Sequence, residues 1–205
     1  MKKDKIFLND EEILDYEAKI ANVKDKIVLE IGGGTGNLTK KLVSAKLLYV
    51  IEKDKNLARI LKSFENEKIK IIEDDFLNVK PFPVDVIVGN IPYSISSKIL
   101  FKLVEWGFDH AVLCVQKEFA ERMIAKPGTG EYGRLSVMTQ IYFKPIFLRV
   151  VPRGAFRPIP KVDSALIYLS KTNEKVNKKR DDLIRKLFSH KKKNILSAIK
   201  SREFS

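Results

Sequence analysis

Short apolar runs alternate with amphipathic segments along most of the chain. The runs are rich in β-branched side chains and too short for helices, so they predict buried strands. They lie at residues 26–31, 47–51, 69–72, 84–89, 111–115, 146–151 and 165–169. Apolar side chains three or four positions apart predict helices at residues 10–20, 37–44, 54–64, 95–104, 117–125, 134–143 and 181–200. This alternation predicts an α/β fold with a seven-stranded, mostly parallel sheet and helices on both faces.

The first predicted strand ends in a glycine-rich turn, a feature typical of nucleotide-binding sites. Gly32, Gly34 and Gly36 follow strand 26–31, and the next helix is predicted to begin at Asn37. Glycines in this setting allow a tight turn and let the backbone approach a ligand closely. The turn contains no basic residue to meet a pyrophosphate, so a ligand without phosphates fits better than a dinucleotide.

Acidic residues follow the second and third predicted strands. Glu52 ends the second strand, where a carboxylate usually accepts hydrogen bonds from both ribose hydroxyls. Asp75 follows the third strand and suits an adenine amine, with Phe76 beside the ring. In an open α/β sheet, ligands bind at the carboxyl ends of the strands, where all these residues fall. A ligand with a ribose, an adenine and no phosphates is S-adenosylmethionine, which we therefore predict as the cofactor.

Asn90, Ile91, Pro92 and Tyr93 form a turn at the end of the fourth predicted strand. Pro92 cannot continue a hydrogen-bonded ladder and restricts Ile91 to an extended conformation, so we expect the nearby carbonyls to stay free. An amide oxygen, free carbonyls and a ring suit a planar group that carries an NH2. Such an amine is a poor nucleophile because its lone pair is delocalised into the ring. Hydrogen-bond acceptors that bind its two hydrogens orient the nitrogen and favour the pyramidal geometry needed for attack. Stacking of a base on Tyr93 contributes about 1–3 kcal/mol.

Charge and cysteine content narrow the class of protein. A net charge of +13 in 205 residues favours a polyanionic partner, above all nucleic acid. The single cysteine, Cys114, excludes an internal disulfide and a cysteine-based zinc cluster, and we predict no metal site. There is no apolar run long enough to cross a membrane and no signal region after Met1, so we expect a cytoplasmic protein without membrane association.

A proline-rich segment precedes the last predicted strand and combines an aromatic residue with cations. We predict that it forms a stiff loop exposing Phe156 beside Arg153, Arg157 and Lys161. An aromatic ring among cations suits a nucleic-acid base and its phosphates. The alternative is that Phe156 fills the core under the loop.

Several blocks of sequence together resemble the ribosomal RNA adenine dimethyltransferase family, the KsgA-type enzymes of the small ribosomal subunit. The resemblance rests on residues 7–8, 30–39, 52, 75, 90–96, 115–118, 132–137 and 156–164. It spans residues 7 to about 170, and the blocks after residue 131 are more specific than the glycine turn. The resemblance implies a Rossmann-like class I methyltransferase fold and S-adenosylmethionine as the methyl donor.

The resemblance also implies roles for the residues of each site. The glycine turn around Gly32 contacts the methionine end of the cofactor, Glu52 its ribose and Asp75 its adenine amine. Asn90 and the carbonyl near Pro92 hold the target amine, and Asn90 also belongs to the cofactor-binding residues. Tyr93 and Phe156 sandwich the flipped base. The implied reaction places two methyl groups on each of two adjacent adenines near the 3′ end of small-subunit ribosomal RNA, in an assembling subunit.

The chain departs from the family pattern at its start. Family members usually carry Gln-Asn where this chain has Lys5 and Ile6. A side-chain contact with the cofactor is therefore not expected there, and we predict a backbone contact from Ile6 or Leu8 instead.

The family usually adds a small helical domain after the catalytic one, and only a short segment is present here. We predict a methyltransferase domain at residues 1–170 and a basic helical tail at residues 171–205. Most of the chain's excess positive charge lies in this tail. Lys191, Lys192 and Lys193 are predicted to bind the RNA backbone.

Two alternatives to an RNA adenine dimethyltransferase follow from the same residues. DNA-adenine and protein-glutamine methyltransferases use a related turn with Pro in place of Ile91, and they lack the 156–164 block. A non-catalytic RNA-binding ribosome-assembly factor could keep the fold, although Glu52, Asp75, Asn90 and Tyr93 are intact. A monomer is the expected state.

Overall fold

Seven strands form one sheet in the order β4-β3-β2-β5-β6-β9-β7, in a computed structural model that describes residues 6–189. The strands are β1 Phe7–Leu8, β2 Ile27–Ile31, β3 Leu47–Ile51, β4 Ile69–Ile72, β5 Val86–Asn90, β6 His110–Gln116, β7 Phe143–Val151, β8 Phe156–Arg157 and β9 Ser164–Lys171. The helices are α1 Glu11–Ala21, α2 Lys55–Leu61, α3 Ser96–Leu103, α4 Lys117–Ile124, α5 Arg134–Tyr142 and α6 Lys178–Ser189. The predicted seven-stranded α/β sheet is confirmed.

The five parallel strands of the sheet all end at one edge. Strands β4, β3, β2, β5 and β6 are parallel neighbours, whereas β9 runs antiparallel to both β6 and β7. Ile31 pairs with Ile51, and Ile51 pairs with Ile72, so these three strands end level with one another. The residues that follow them therefore meet at the carboxyl edge of the sheet, as predicted.

Helices cover both faces because the strands bury apolar side chains on both sides. On one face, Leu14 of α1 and Leu61 of α2 belong to the same core as Val28 and Val86 of the sheet. On the other, Leu100 of α3 packs in a second core that includes side chains of α4 and α5. Strands buried on both faces read as continuous apolar runs, which explains their pattern in the sequence.

Helix α1 begins and ends where its sequence indicates. Asp10 is the N-cap, and its side chain accepts a hydrogen bond from the backbone N–H of Ile13 at 3.1 Å. The helix ends at Asn22, whose φ of 46° is left-handed. The helix predicted at residues 10–20 is confirmed.

The helix predicted at residues 37–44 is wrong. Only a 3-10 turn, Thr39–Lys41, is present. Ten residues separate Gly36 from Leu47, and they must return the chain along the length of the sheet to start a parallel strand. An α-helix rises only about 1.5 Å per residue, so a longer helix would leave too little chain for the return.

A separate two-stranded sheet joins the start of the chain to the segment before β9. Strand β1 pairs antiparallel with β8, and Leu8 lies opposite Phe156. The backbone N–H of Asn9 extends the pairing by donating to the carbonyl of Ala155 at 2.9 Å. This contact ties the N-terminal segment to the proline-rich loop.

Helix α6 begins at Lys178, three residues before the predicted start. Tyr142 of α5 donates a hydrogen bond from its hydroxyl to Oδ2 of Asp181 at 2.6 Å, and Ile184 is buried in the core. Lys191, Lys192 and Lys193 lie outside the described residues, and the division at residue 170 stays a prediction. Within residues 6–189, no helix is long and apolar enough to cross a membrane.

Candidate active site

A cavity of about 440 Å³ opens at the carboxyl edge of the parallel strands. Its walls come from the N-terminal segment, the glycine turn and the residues after β3, β4 and β5. Among the predicted site residues, those that line it are Ile6, Leu8, Gly32, Gly34, Glu52, Asp75, Phe76, Asn90 and Pro92. A single cavity thus collects most of the residues that the sequence assigns to the cofactor.

The glycine turn needs backbone conformations that other residues rarely adopt. Gly32 has a φ of 76° and Gly34 a φ of 55°, both in the left-handed region. Gly36 also has a positive φ, 84°, but it does not line the cavity. A Cβ at Gly36 would lie 2.7 Å from the ring of Phe64. The prediction that Gly36 contacts the cofactor is therefore corrected, because Gly36 closes the turn and packs on Phe64.

Glu52 is 7% exposed and anchors the glycine turn. One carboxylate oxygen accepts the backbone N–H of Gly34 at 3.0 Å, and the other accepts that of Asp54 at 2.8 Å. Each oxygen has a second lone pair that can accept a hydroxyl from a ligand in the cavity. Glu52 therefore lies where a ribose can be bound by its two hydroxyls.

Asp75 and Phe76 form the wall below β4. Asp75 is partly buried, and its Oδ1 accepts the backbone N–H of Leu77 at 3.0 Å. Asp74 also lines the cavity but is exposed. Phe76 is buried and stacks on Trp106 with ring centroids 5.3 Å apart. Phe76 is thus packed against the core, and the contact of Asp75 with an adenine amine stays a prediction.

Asn90 carries an acceptor that no described residue satisfies. Its Oδ1 is buried and has no hydrogen-bond partner within residues 6–189. Asn90 also lines a second, smaller cavity that adjoins the first. A buried polar atom without a partner costs about 1–3 kcal/mol, so the position fits an atom kept for a ligand.

The carbonyl of Pro92 is not free, contrary to the prediction. It accepts hydrogen bonds from the backbone N–H of Ile95 at 3.2 Å and from Oγ of Ser96 at 3.1 Å. The reason is that a 3-10 turn, Tyr93–Ile95, begins directly after Pro92 and uses this carbonyl as its first acceptor. Pro92 lines both cavities, and the role of a carbonyl near Pro92 in holding the target amine stays a prediction.

The second cavity lies between the two predicted aromatic walls. It measures about 30 Å³ and is lined by Ile6, Asn90, Ile91, Pro92, Tyr93, Cys114 and Phe156. Tyr93 is partly buried. Phe156 is only 4% exposed and is part of the core, so the prediction of an exposed Phe156 is wrong. Pairing of β8 with β1 covers its ring, yet the structure brings Phe156 and Tyr93 to one cavity, as predicted.

The N-terminal segment covers both cavities. Ile6 lines both of them, and Leu8 lines the larger one. The carbonyl of Leu8 accepts a hydrogen bond from Nδ2 of Asn37 at 2.8 Å, so it is already engaged. This bond uses one of the two lone pairs of the Leu8 carbonyl, so the backbone contact from Ile6 or Leu8 stays a prediction.

The cations of the proline-rich loop are exposed, but one of them already makes hydrogen bonds within the loop. Nη1 of Arg157 donates to the carbonyls of Gly154 and Phe156, both at 2.8 Å. Arg153 and Lys161 are exposed on the same loop. Arg157 thus stabilises the loop with one of its nitrogens, and contacts of the three cations with RNA stay predictions.

Two buried carboxyl groups near the site were missed by sequence reasoning. Glu30 on β2 lines the larger cavity at 1% exposure, and its Oε2 accepts the hydroxyl of Thr39 at 2.7 Å. Burial, reinforced by Glu52, raises the pKa of Glu30 to about 8, although the hydrogen bond from Thr39 opposes the shift. Glu17 on α1 is fully buried without a described partner, and burial and Glu30 raise its pKa. Both could have been found from the sequence, because each is an acidic residue at a position where the apolar pattern of its element predicts burial.

These carboxyls predict that stability falls as the pH rises. A folded-state pKa above 4.5 means that the native state binds more protons than the unfolded state, so stability decreases from pH 4.5 up to the folded pKa, about 8 for Glu30. Glu17→Met should raise the free energy of unfolding at pH 7.5 and flatten its decline, which amounts to about 1 kcal/mol per pH unit for each carboxyl.

Urea unfolding at pH 5 to 8 measures this dependence. The matched control is Glu118→Gln, because Glu118 is exposed on α4 and should leave the profile unchanged. An equal slope in Glu17→Met and in the wild type would show that folding does not change the pKa of Glu17.

A family model for ribosomal RNA adenine dimethylase matches residues 3–204. The chain belongs to this family. Its methyltransferases depend on S-adenosylmethionine, and its members modify ribosomal RNA. The resemblance seen in the sequence is therefore confirmed over nearly the whole chain, as are the Rossmann-like fold and the enzyme class.

Relatives from archaea share about two fifths of their residues with this member of the family. A probable ribosomal RNA small subunit methyltransferase A from Thermococcus onnurineus is 42% identical over 198 residues, which cover 95% of this chain and 73% of the relative. The corresponding protein of Methanopyrus kandleri is 41% identical over 203 residues, covering 94% and 73%.

Two solved structures share both the fold and about a third of the sequence of this chain. A dimethyladenosine transferase from Plasmodium falciparum is 36% identical, with a TM-score of 0.87 over 96% of this chain and 76% of that one. The 23S rRNA methyltransferase ErmE is 31% identical, with a TM-score of 0.73 over 96% and 84%. Both support a fold common to enzymes of this kind.

The larger cavity suits S-adenosylmethionine by its charge and its donors. Acidic side chains line it at several points, whereas Lys53 is the single basic residue among the described lining residues. A surplus of carboxylates favours a ligand that carries positive charge and disfavours phosphates. Glu52 can accept from ribose hydroxyls, and the turn at Gly32 and Gly34 leaves room for close backbone contact.

Proposed function

We propose that the protein transfers methyl groups from S-adenosylmethionine to the exocyclic amines of two adjacent adenines near the 3′ end of small-subunit ribosomal RNA. The observation that carries the proposal is the unpartnered amide oxygen of Asn90, at the junction of a cofactor-sized cavity and a small cavity with aromatic walls. Family membership and the names of the relatives support the substrate class.

The cofactor occupies the larger cavity in this proposal. Glu52 binds the ribose hydroxyls, Asp75 accepts from the adenine amine, and Phe76 lies beside the ring. The turn at Gly32 and Gly34 contacts the methionine end. When bound, S-adenosylmethionine supplies an electrophilic methyl group on a positively charged sulfur.

The target adenine enters beside Tyr93 and Phe156, after leaving the RNA stack. The Asn90 amide oxygen accepts a hydrogen from the amine and directs the nitrogen's lone pair toward the larger cavity. A cavity of about 30 Å³ is far smaller than a purine, so the aromatic walls must separate when the base binds. No general base is required, because the amine becomes acidic on transfer and its proton can pass to water. Positioning supplies most of the rate.

The test is transfer of label from radiolabelled S-adenosylmethionine to small subunits that lack the modification, followed by digestion of the RNA. Labelled dimethyladenosine at two adjacent positions is the expected product, and parallel reactions with naked RNA show whether the assembling subunit is required. Label in another nucleoside, or cofactor binding without transfer to subunits, would contradict the proposal. Action in the cytoplasm and as a monomer belongs to the same proposal.

A further inference from the structure

Ser164 begins β9, and Asp163 directly precedes it. Neither lines the small cavity, but Ser164 is hydrogen-bonded to its Tyr93 wall, and Asp163 is hydrogen-bonded to the turn that leads into its Phe156 wall. They follow the exposed part of the proline-rich loop. The inference drawn from them rests on the proposed function, because it concerns how the target base is held.

Ser164 contacts the ring of Tyr93 from behind. Its side chain is fully buried, and its Oγ lies 2.6 Å from the hydroxyl oxygen of Tyr93. Burial raises the pKa of the Tyr93 phenol, so the phenol stays protonated at neutral pH and can donate this bond. The hydroxyl of Ser164 therefore fixes the position of the hydroxyl end of the Tyr93 side chain.

Asp163 acts on the opposite wall through the backbone. Its Oδ1 accepts the N–H of Arg153 at 2.9 Å, and its carbonyl accepts the N–H of Lys117 at 3.0 Å. Arg153 opens the 3-10 turn Arg153–Ala155, which leads directly into Phe156. The position of Phe156 thus depends on a turn that Asp163 holds against the first residue of α4.

We propose that Asp163 and Ser164 are positioning residues that set the two aromatic walls of the target-base cavity, Tyr93 through a side-chain hydrogen bond and Phe156 through the Arg153–Ala155 turn. Both walls must be correctly placed for a base to stack between them while its amine reaches Asn90. Loss of either contact should slow methyl transfer and leave cofactor binding unchanged, because neither residue lines the larger cavity.

The first test is a double-mutant cycle between Ser164 and Tyr93, with methylation of small subunits as the readout. Ser164→Ala should lower kcat by about 10-fold to 100-fold, because a small misplacement of the reacting group is costly. Tyr93→Phe removes the same hydrogen bond from the other side and should have a similar effect. In the Tyr93→Phe background, Ser164→Ala should cost less than about 2-fold more.

A matched control for Ser164→Ala is Thr139→Val. Thr139 on α5 is also fully buried, and its hydroxyl has no hydrogen-bond partner in the described part of the chain. It should leave kcat unchanged. Equal losses from Ser164→Ala in both backgrounds, or weaker cofactor binding in Ser164→Ala, would overturn the positioning role. If Ser164→Ala fails to fold, Tyr93→Phe alone decides, and a wild-type rate in that variant overturns the proposal.

The second test separates position from charge at Asp163. Asp163→Asn keeps an oxygen that can accept from Arg153 and should retain activity within about 3-fold, whereas Asp163→Ala should lose about 10-fold. Equal losses in both variants would overturn the proposal, since they would indicate a role for the negative charge. A wild type that transfers no methyl overturns this inference together with the proposed function. An active wild type with fully active variants overturns this inference alone.

Discussion

Asn90→Ala is expected to reduce methyl transfer to small subunits by about 1,000-fold, while S-adenosylmethionine binds within about 10-fold of the wild-type affinity. In the proposed function the buried amide oxygen is the acceptor that orients the target amine, and removal of one such preorganised polar group from an active site costs about 100-fold to 1,000-fold. Cofactor affinity changes little because the ribose and adenine contacts lie on other strands. Single-turnover methylation and calorimetric titration with the cofactor measure the two quantities.

The control is Asn78→Ala, since Asn78 is exposed on the loop after β4 and lines neither cavity. Both variants should unfold at the wild-type temperature or slightly above it, because Asn90→Ala removes an unpartnered buried atom. Wild-type turnover in Asn90→Ala would remove Asn90 from the mechanism. A parallel loss of cofactor affinity and rate would assign Asn90 to the cofactor site alone.

Glu52→Ala is expected to weaken S-adenosylmethionine binding by about 100-fold and to abolish methylation at ordinary cofactor concentrations. Hydrogen bonds to charged groups contribute about 1.5–3 kcal/mol each, and Glu52 can make them to both ribose hydroxyls. Glu52 also accepts the N–H groups of Gly34 and Asp54, so alanine removes support from the glycine turn. Isothermal titration with the cofactor measures the change.

A second variant and a modified ligand separate binding from support of the turn. Glu52→Gln keeps one acceptor oxygen and should bind about 10-fold more weakly than the wild type. The wild type should bind a cofactor analogue with 2′-deoxyribose less tightly than it binds S-adenosylmethionine. Glu52→Ala should bind the analogue and S-adenosylmethionine with equal affinity. Glu67→Ala, which changes an exposed residue away from the cavity, is the control. Unchanged discrimination in Glu52→Ala would show that Glu52 only shapes the turn.

The position of the cofactor site could be predicted because its residues share a local pattern. Glu52, Asp75 and Asn90 each follow a short β-branched run, and parallel strands end at the same edge of a sheet. Local chemistry also set the start of α1 at Asp10, whose side chain caps the helix. These features depend on residues that are neighbours in the sequence, so they can be found from the sequence alone.

Features that depend on the path of the chain after a pattern could not be predicted in this way. The amphipathic pattern at residues 37–44 favours a helix, but the length of chain available for the return to β3 allows only a turn. The free carbonyl expected at Pro92 is engaged by residues that fold back on it, Ile95 and Ser96. In both places, the path of the chain beyond the local pattern decided the outcome.

The sequence by itself determined the fold class, the strand that each candidate site residue follows, and the family, because apolar periodicity and short motifs are local properties. Only the tertiary structure decided that Phe156 is buried where β8 pairs with β1, that Ser164 is hydrogen-bonded to Tyr93, and that Glu17 is buried between α1 and the sheet. Each of these contacts joins segments from different elements. Their partners are selected by packing and by the loss of water around buried groups, and neither property can be read from spacing along the chain.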